Sequence, residues 1–157
     1  MIILEGTDAV GKTSVINSLK EYNIKDRDSY ISSLMNFDIS LTTRSNKLNE
    51  YLKNINDYVI FLINNDSNEL ERRVNSRSVI DEYDRLTYLY NILYFETFLY
   101  MKYNNLLENK LYMIDCTNLS IKEESEKVKE LIIKKGWLYA FDKCSYGMCK
   151  DCNVKYS

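Results

Sequence analysis

Apolar residues in this chain fall into short unbroken runs that alternate with stretches of helical spacing. Met1–Leu4 has no polar interruption, Tyr58–Ile63 is a longer run rich in β-branched residues, and Leu111–Ile114 is a third. Runs this short and this uniform suit strands covered on both faces, as parallel strands are. Between them the period changes. Val15, Ile16 and Leu19 follow Lys12 at helical spacing, and Leu48, Tyr51, Leu52 and Ile55 do so within 41–55. Residues 29–37, Glu69–Arg77 and 82–107 also read as helices. Tyr22–Arg27 is expected to hold a further strand ending at Asp26 and Arg27, with Ile24 as its apolar residue. Asn64–Ser67 supplies turn and cap chemistry, and Ser120 with Glu123 three residues on predicts a capped helix through Lys135. Strand and helix alternate throughout, which predicts an α/β domain over residues 1–136 with a small parallel sheet of about four strands flanked by helices. Residues 137–157 read as an irregular cysteine-bearing tail, packed on the domain or on a partner.

Composition narrows the chemistry. The 157 residues suffice for one domain with its own core, and the net charge of −2 provides no global basic field for a nucleic-acid backbone. Any polyanion contact must therefore be local, and nucleic acid is not an expected partner. No run approaches the length of a membrane span and no leader pattern is present, so a cytoplasmic protein with reduced thiols is expected. Histidine is absent, which excludes serine–histidine hydrolysis and histidine-based zinc catalysis.

The sharpest chemical signal follows the first strand directly. Gly6-Thr7-Asp8-Ala9-Val10-Gly11-Lys12-Thr13-Ser14 matches G-x-x-x-x-G-K-[ST], between a predicted strand and a predicted helix. The glycines let backbone N–H groups wrap phosphate oxygens, Lys12 reaches the terminal phosphates, and the Thr13 hydroxyl is a Mg²⁺ ligand. The motif in this context implies a three-layer P-loop NTPase fold that binds ATP and Mg²⁺. No guanine-reading N-K-x-D follows any strand, and the chain is short for a motor ATPase, which favours a kinase.

Four segments together resemble the thymidylate kinase family, within the nucleoside monophosphate kinases. Leu4–Ser14 is similar to that family's E-G-x-D-x-x-G-K-[ST] loop, with Glu5 and Asp8 at its acidic positions. Asp26-Arg27 with Ser32-Ser33 resembles its D-R segment; by that resemblance Asp26 helps to organise metal and acceptor, and Arg27 grips the acceptor phosphate. Arg73 and Arg77, with Asp81 and Asp84, look like the lid whose arginines supply the transition-state cation, since Ala9 and Val10 put none in the loop. Tyr112–Asn118 is similar to the last strand and adenine-side loop. The resemblance covers residues 1–135 and implies a kinase acting on a nucleoside monophosphate, a deoxypyrimidine such as dTMP or dUMP, with a homodimer as one arrangement. The chain looks trimmed: Glu21–Lys25 leaves no room for the family's extra strand and helices, and Asn36 and Phe37 stand nearest to its thymine-reading glutamine.

Plainer readings stand beside these. Arg72, Arg73 and Arg77 also fit a solvated helix face paired with Glu69 and Glu71, Asp26-Arg27 fits a turn ion pair, and Arg44 fits a plain surface residue better than a phosphate ligand. Of the aromatic residues between Tyr83 and Tyr103, comparison with the family puts Tyr94 and Phe98 nearest to substrate, while core packing accounts for most. Cys144, Cys149 and Cys152 fit a zinc site only with a fourth ligand such as Cys116 or Asp151. The rival functions are a nucleoside kinase, a polynucleotide 5′-kinase, and a nucleotide-binding protein without turnover.

Overall fold

The computed structural model describes residues 1–137, so the cysteine-bearing segment and its zinc question lie outside the described residues. Strand β1 (Ile2–Glu5) leads through the glycine loop into α1 (Lys12–Ser18). Strand β2 (Ile24–Asp26), α2 (Ser29–Leu34), α3 (Leu41–Lys53) and β3 (Tyr58–Ile63) follow. The chain continues through α4 (Ser67–Asn75), α5 (Glu82–Arg85), α6 (Thr87–Tyr103), β4 (Leu111–Asp115) and α7 (Ile121–Lys135). The four strands form one all-parallel sheet in the order β2-β1-β3-β4.

Side-chain alternation divides the core between the two faces of this sheet. Ile3, Val59, Phe61 and Ile63 meet Ile31 and Leu34 of α2, Leu48 and Leu52 of α3, and Leu93, Tyr94 and Met101 of α6. Ile2, Leu4, Ile60 and Leu62 meet Val15 of α1 and Val128 and Ile132 of α7, closed by Trp137 stacked on Tyr58 with ring centroids 4.2 Å apart. Burial of β1 on both sides is the reason its sequence shows no alternation. Among the described residues no helix is long and apolar enough to cross a membrane.

Several boundaries differ from expectation, each for a local reason. Helix α2 stops at Leu34 instead of 37, and Asn36 turns back on itself by accepting Asp38 N–H at its own Oδ1. Helix α4 starts earlier, capped by Asp66, and ends at Asn75, which leaves Arg77 in the loop beyond it. The long helix expected over 82–107 is two: Asp81 and Asp84 form a capping box for α5, and Thr87 opens α6. The Ser120–Glu123 capping box of α7 forms as expected.

Arg44 is neither a surface residue nor a phosphate ligand. It lies 2% exposed and donates to the carbonyls of Leu34 (3.1 Å) and Ile39 (2.8 Å), to Thr97 Oγ1 (3.1 Å) and to Glu96 Oε1 (3.1 Å). One guanidinium thus clips the loop after α2 onto α3 and α6. Truncation strands these acceptors, so Arg44→Ala is expected to lower unfolding free energy by about 3 kcal/mol, read from the urea midpoint. An unchanged midpoint would contradict the clip.

Candidate functional site

Because all strands run parallel, their carboxyl ends share one edge of the sheet, where loops carrying chemistry collect. The register Leu4↔Asp26 puts residues that follow β2 beside the glycine loop, and Arg27 N–H donates to Leu4 O at 3.0 Å. The Asp26–Arg27 turn pair is replaced by a longer-range one: the Arg27 guanidinium is bonded to Asp8, with Arg27 held at φ 68°. That left-handed conformation is uncommon outside glycine and is set here by surrounding contacts.

The loop is held from several sides. A Cβ at Gly6 would stand 2.7 Å from Leu62 O, and one at Gly11 would meet Glu124 Oε2, so the neighbouring backbone dictates glycine at 6 and the φ of 114° dictates it at 11. Thr7 Oγ1 donates to Thr87 O (2.5 Å), and Thr87 Oγ1 donates to Asp8 O, tying the loop to the start of α6. Lys12 is buried, and its Nζ donates to Gly6 O (2.8 Å) and Thr7 O (2.9 Å). Burial first, and the Arg27 charge second, bring its pKa down to about 8. Beneath the loop, fully buried Glu5 accepts from Asp28 N–H (2.6 Å), Tyr94 OH (2.8 Å) and Ser32 Oγ (3.2 Å). Desolvation raises its pKa, against the pull of these donors.

Two cavities open on this edge. The larger, ≈ 850 Å³, is lined by Asp8, Ala9, Gly11, Lys12, Thr13 and Ser14 of the loop, by Asp26 and Arg27, by Glu69, Arg72, Arg73, Ser76 and Arg77, and by Leu119–Ile121. Five cationic side chains face three carboxylates there, a local positive excess within a chain of net charge −2. The smaller, ≈ 500 Å³, is lined by Gly6, Thr7, Ser29, Ser32, Ser33, Met35, Asn36, Phe37, Asp81, Tyr83, Tyr90 and Tyr94. Asp8 and Arg27 line both, so their ion pair stands at the junction.

The expected site residues therefore separate by position. Gly6 and Thr7 face the smaller cavity, Val10 is fully buried in the core, and the remaining loop residues with Asp26 face the larger one. Thr13 and Asp26, both exposed, share that larger cavity and suit a hard divalent cation in donor chemistry. Arg77 pairs with Asp84 at 2.5 Å, and the carboxylates of Asp8, Asp81 and Asp84 cluster within 4.8 Å of one another. Arg73 is 13% exposed in its side chain and is bonded to loop carbonyls, whereas Arg72 is 69% exposed and doubly bonded to Glu69.

Tyr94 lines the smaller cavity, but Phe98 belongs to the core. Tyr83 and Tyr90 line it instead, with Phe37 and Tyr90 rings 4.8 Å apart. Thr87 and Glu124 were not among the expected site residues. Thr87 carries no local signal, whereas Glu124 stands in register with the buried positions Val128 and Ile132 of α7, an acid on an apolar stripe. Cys116 is buried at the end of β4, and its thiol is pushed well above its ordinary pKa by burial.

No protein-family model matches this chain, and no curated protein matches it.

Lys12 is charged below about pH 8 and loses its proton as pH rises through that value. Binding of inorganic tripolyphosphate, followed by calorimetry, is therefore expected to weaken above pH 8, approaching about tenfold per pH unit if Lys12 must be charged. The slope should vanish in Lys12→Ala.

Proposed function

We propose that this chain is a P-loop kinase that transfers the γ-phosphate of Mg-ATP to a (deoxy)nucleoside monophosphate, with a deoxypyrimidine such as dTMP or dUMP as acceptor. The observation that carries the reading is the pair of cavities meeting at Asp8 and Arg27: one cationic and built on the glycine loop, the other lined by hydroxyls, Asn36 and aromatic rings. A donor and an acceptor must approach end to end for phosphoryl transfer, and two sites with a shared charged boundary supply that arrangement. The parallel sheet with helices on both faces accords with a P-loop NTPase fold, and the resemblance to thymidylate kinases supports the choice of acceptor.

In this reading ATP phosphates lie along Ala9–Ser14, and Lys12 leaves the carbonyls of Gly6 and Thr7 to meet the β- and γ-oxygens. Thr13, with Asp26 lining the same cavity, would hold Mg²⁺, which when bound neutralises charge on the phosphate oxygens. Arg27 holds the acceptor phosphate and Asp8 orients the acceptor from the same boundary. Arg77 lies in the connection between α4 and α5, outside both helices and lining the larger cavity, and is the lid cation best placed to join the transferring group. The acceptor oxygen is already anionic, so no general base is required and the absence of histidine is no obstacle. Tyr83, Tyr90 and Phe37 offer ring faces to a base, and Asn36 offers an amide.

The test is ADP release from Mg-ATP against a panel of deoxynucleoside monophosphates and nucleosides. Turnover with a monophosphate is expected, abolished in Lys12→Ala, with Arg27→Ala raising acceptor KM by about a hundredfold through loss of a charge-assisted phosphate contact. Nucleotide binding with no product across the panel would overturn the kinase and leave a binding protein.

A further inference from the structure

Arg73 and Glu124 form a buried polar contact against the glycine loop that phosphoryl transfer, as proposed above, does not use. Arg73 comes from α4 and Glu124 from α7, fifty-one positions apart in sequence, and they meet beside Gly11. The Arg73 guanidinium donates from Nη1 to Ala9 O (3.2 Å), Val10 O (3.2 Å) and Glu124 Oε1 (3.4 Å), and from Nε to Glu69 Oε2 (2.9 Å). Every peptide among the described residues is trans, so each N–H points away from the preceding C=O. With the Val10 carbonyl held on Arg73, the Gly11 N–H is turned away from Arg73. The Val10 N–H closes the turn onto Thr7 O at 3.4 Å.

Glu124 is 0% exposed. Its Oε1 faces Arg73, while its Oε2 lies against Gly11 with no strong donor in reach, the Cys116 thiol, a weak donor, being the other polar group beside the carboxylate. A buried carboxylate with an oxygen so weakly satisfied is costly, and a helix needing only packing would carry an apolar residue there. Its position at the loop, and not elsewhere along α7, ties that cost to the loop's conformation.

We propose that Glu124 is a positioning residue for the nucleotide: by orienting Arg73 it fixes the carbonyls of Ala9 and Val10 and so presents the loop N–H groups to phosphate. Arg73 is then a clamp of the loop, and the transferring group is left to Arg77 and Lys12. The proposal rests on the glycine loop binding nucleotide and does not require that transfer occurs.

The groups facing Glu124 define its protonation. Arg73 and Glu69 reach it from α4 and Cys116 from the end of β4, while α1 meets α7 through the uncharged pair Ser18–Ser125 at 2.9 Å. Burial raises its pKa to about 7, against the Arg73 charge. Above that pH the carboxylate holds Arg73; below it the clamp loses its anion.

The experiment measures Mg-ATP binding to the full chain by calorimetry from pH 6 to 8.5, for wild type, Glu124→Gln and Arg73→Lys, with thermal unfolding of each. Protonation of ATP itself is common to all three, so the difference between proteins is the readout. Glu124→Gln is expected to stay folded, to bind ATP about tenfold more weakly at pH 8, and to lose the extra weakening that wild type shows below pH 7. Arg73→Lys, which keeps the charge but not the multiple donors, should weaken binding with a similar melting temperature. Equal affinity and equal pH profiles in wild type and Glu124→Gln would overturn the proposal. Wild type that binds ATP without transferring phosphate would instead overturn the kinase while leaving Glu124 its role.

Discussion

Parallel pairing of β1 with β2 on one side and β3 on the other is the constraint on which the rest depends. It lines up the carboxyl ends of the strands, and the Leu4↔Asp26 register then decides that Arg27 meets Asp8. A slip of one residue would turn Ile2, Ile3 and Leu4 to the opposite faces and break two core clusters at once, so the hydrophobic effect indirectly enforces the site's geometry. The loop after β1 inherits its position from this pairing, with Gly6 pressed against Leu62 O of the neighbouring strand.

Charge is arranged around that frame with little regard for the overall balance of the chain. The net charge is −2, yet the larger cavity gathers Lys12, Arg27, Arg72, Arg73 and Arg77. Each arginine is held by a carboxylate or by backbone carbonyls: Arg27 by Asp8, Arg77 by Asp84, Arg72 and Arg73 by Glu69. Bound in this way the cations are placed in advance of any anion, which would have to draw Lys12 from the carbonyls of Gly6 and Thr7 and compete with these carboxylates for the arginines.

The buried polar groups share a common task. Glu5 collects Asp28, Ser32 and Tyr94 beneath the smaller cavity, Arg44 fastens the loop after α2 to α3 and α6, and Glu124 meets Arg73 beneath the larger cavity. Each joins elements that are distant in sequence. Apolar packing alone would hold these helices against the sheet, but it would not set the rotation of a loop carbonyl or the height of a tyrosine hydroxyl.

The residues alone determined much of this protein. The buried strands, the capping box at Ser120 and Glu123, the glycine loop and the small parallel sheet were all legible, because each depends on neighbours in the chain or on a period of two or 3.6. The division of the long aromatic stretch at Leu86 was not, since apolar and aromatic residues fall on every side of Tyr83 to Tyr103, among scattered polar ones, and the pattern names no face. Tertiary structure alone decided that Arg27 pairs with Asp8 and not within its own turn, that Arg44 is interior, that Arg73 clamps the loop, and that Phe98 is core while Tyr90 lines a cavity. The reason is physical: a charged side chain reaches several ångströms in any direction, and its partner is whichever opposite charge or carbonyl the packing of distant elements brings within hydrogen-bond distance.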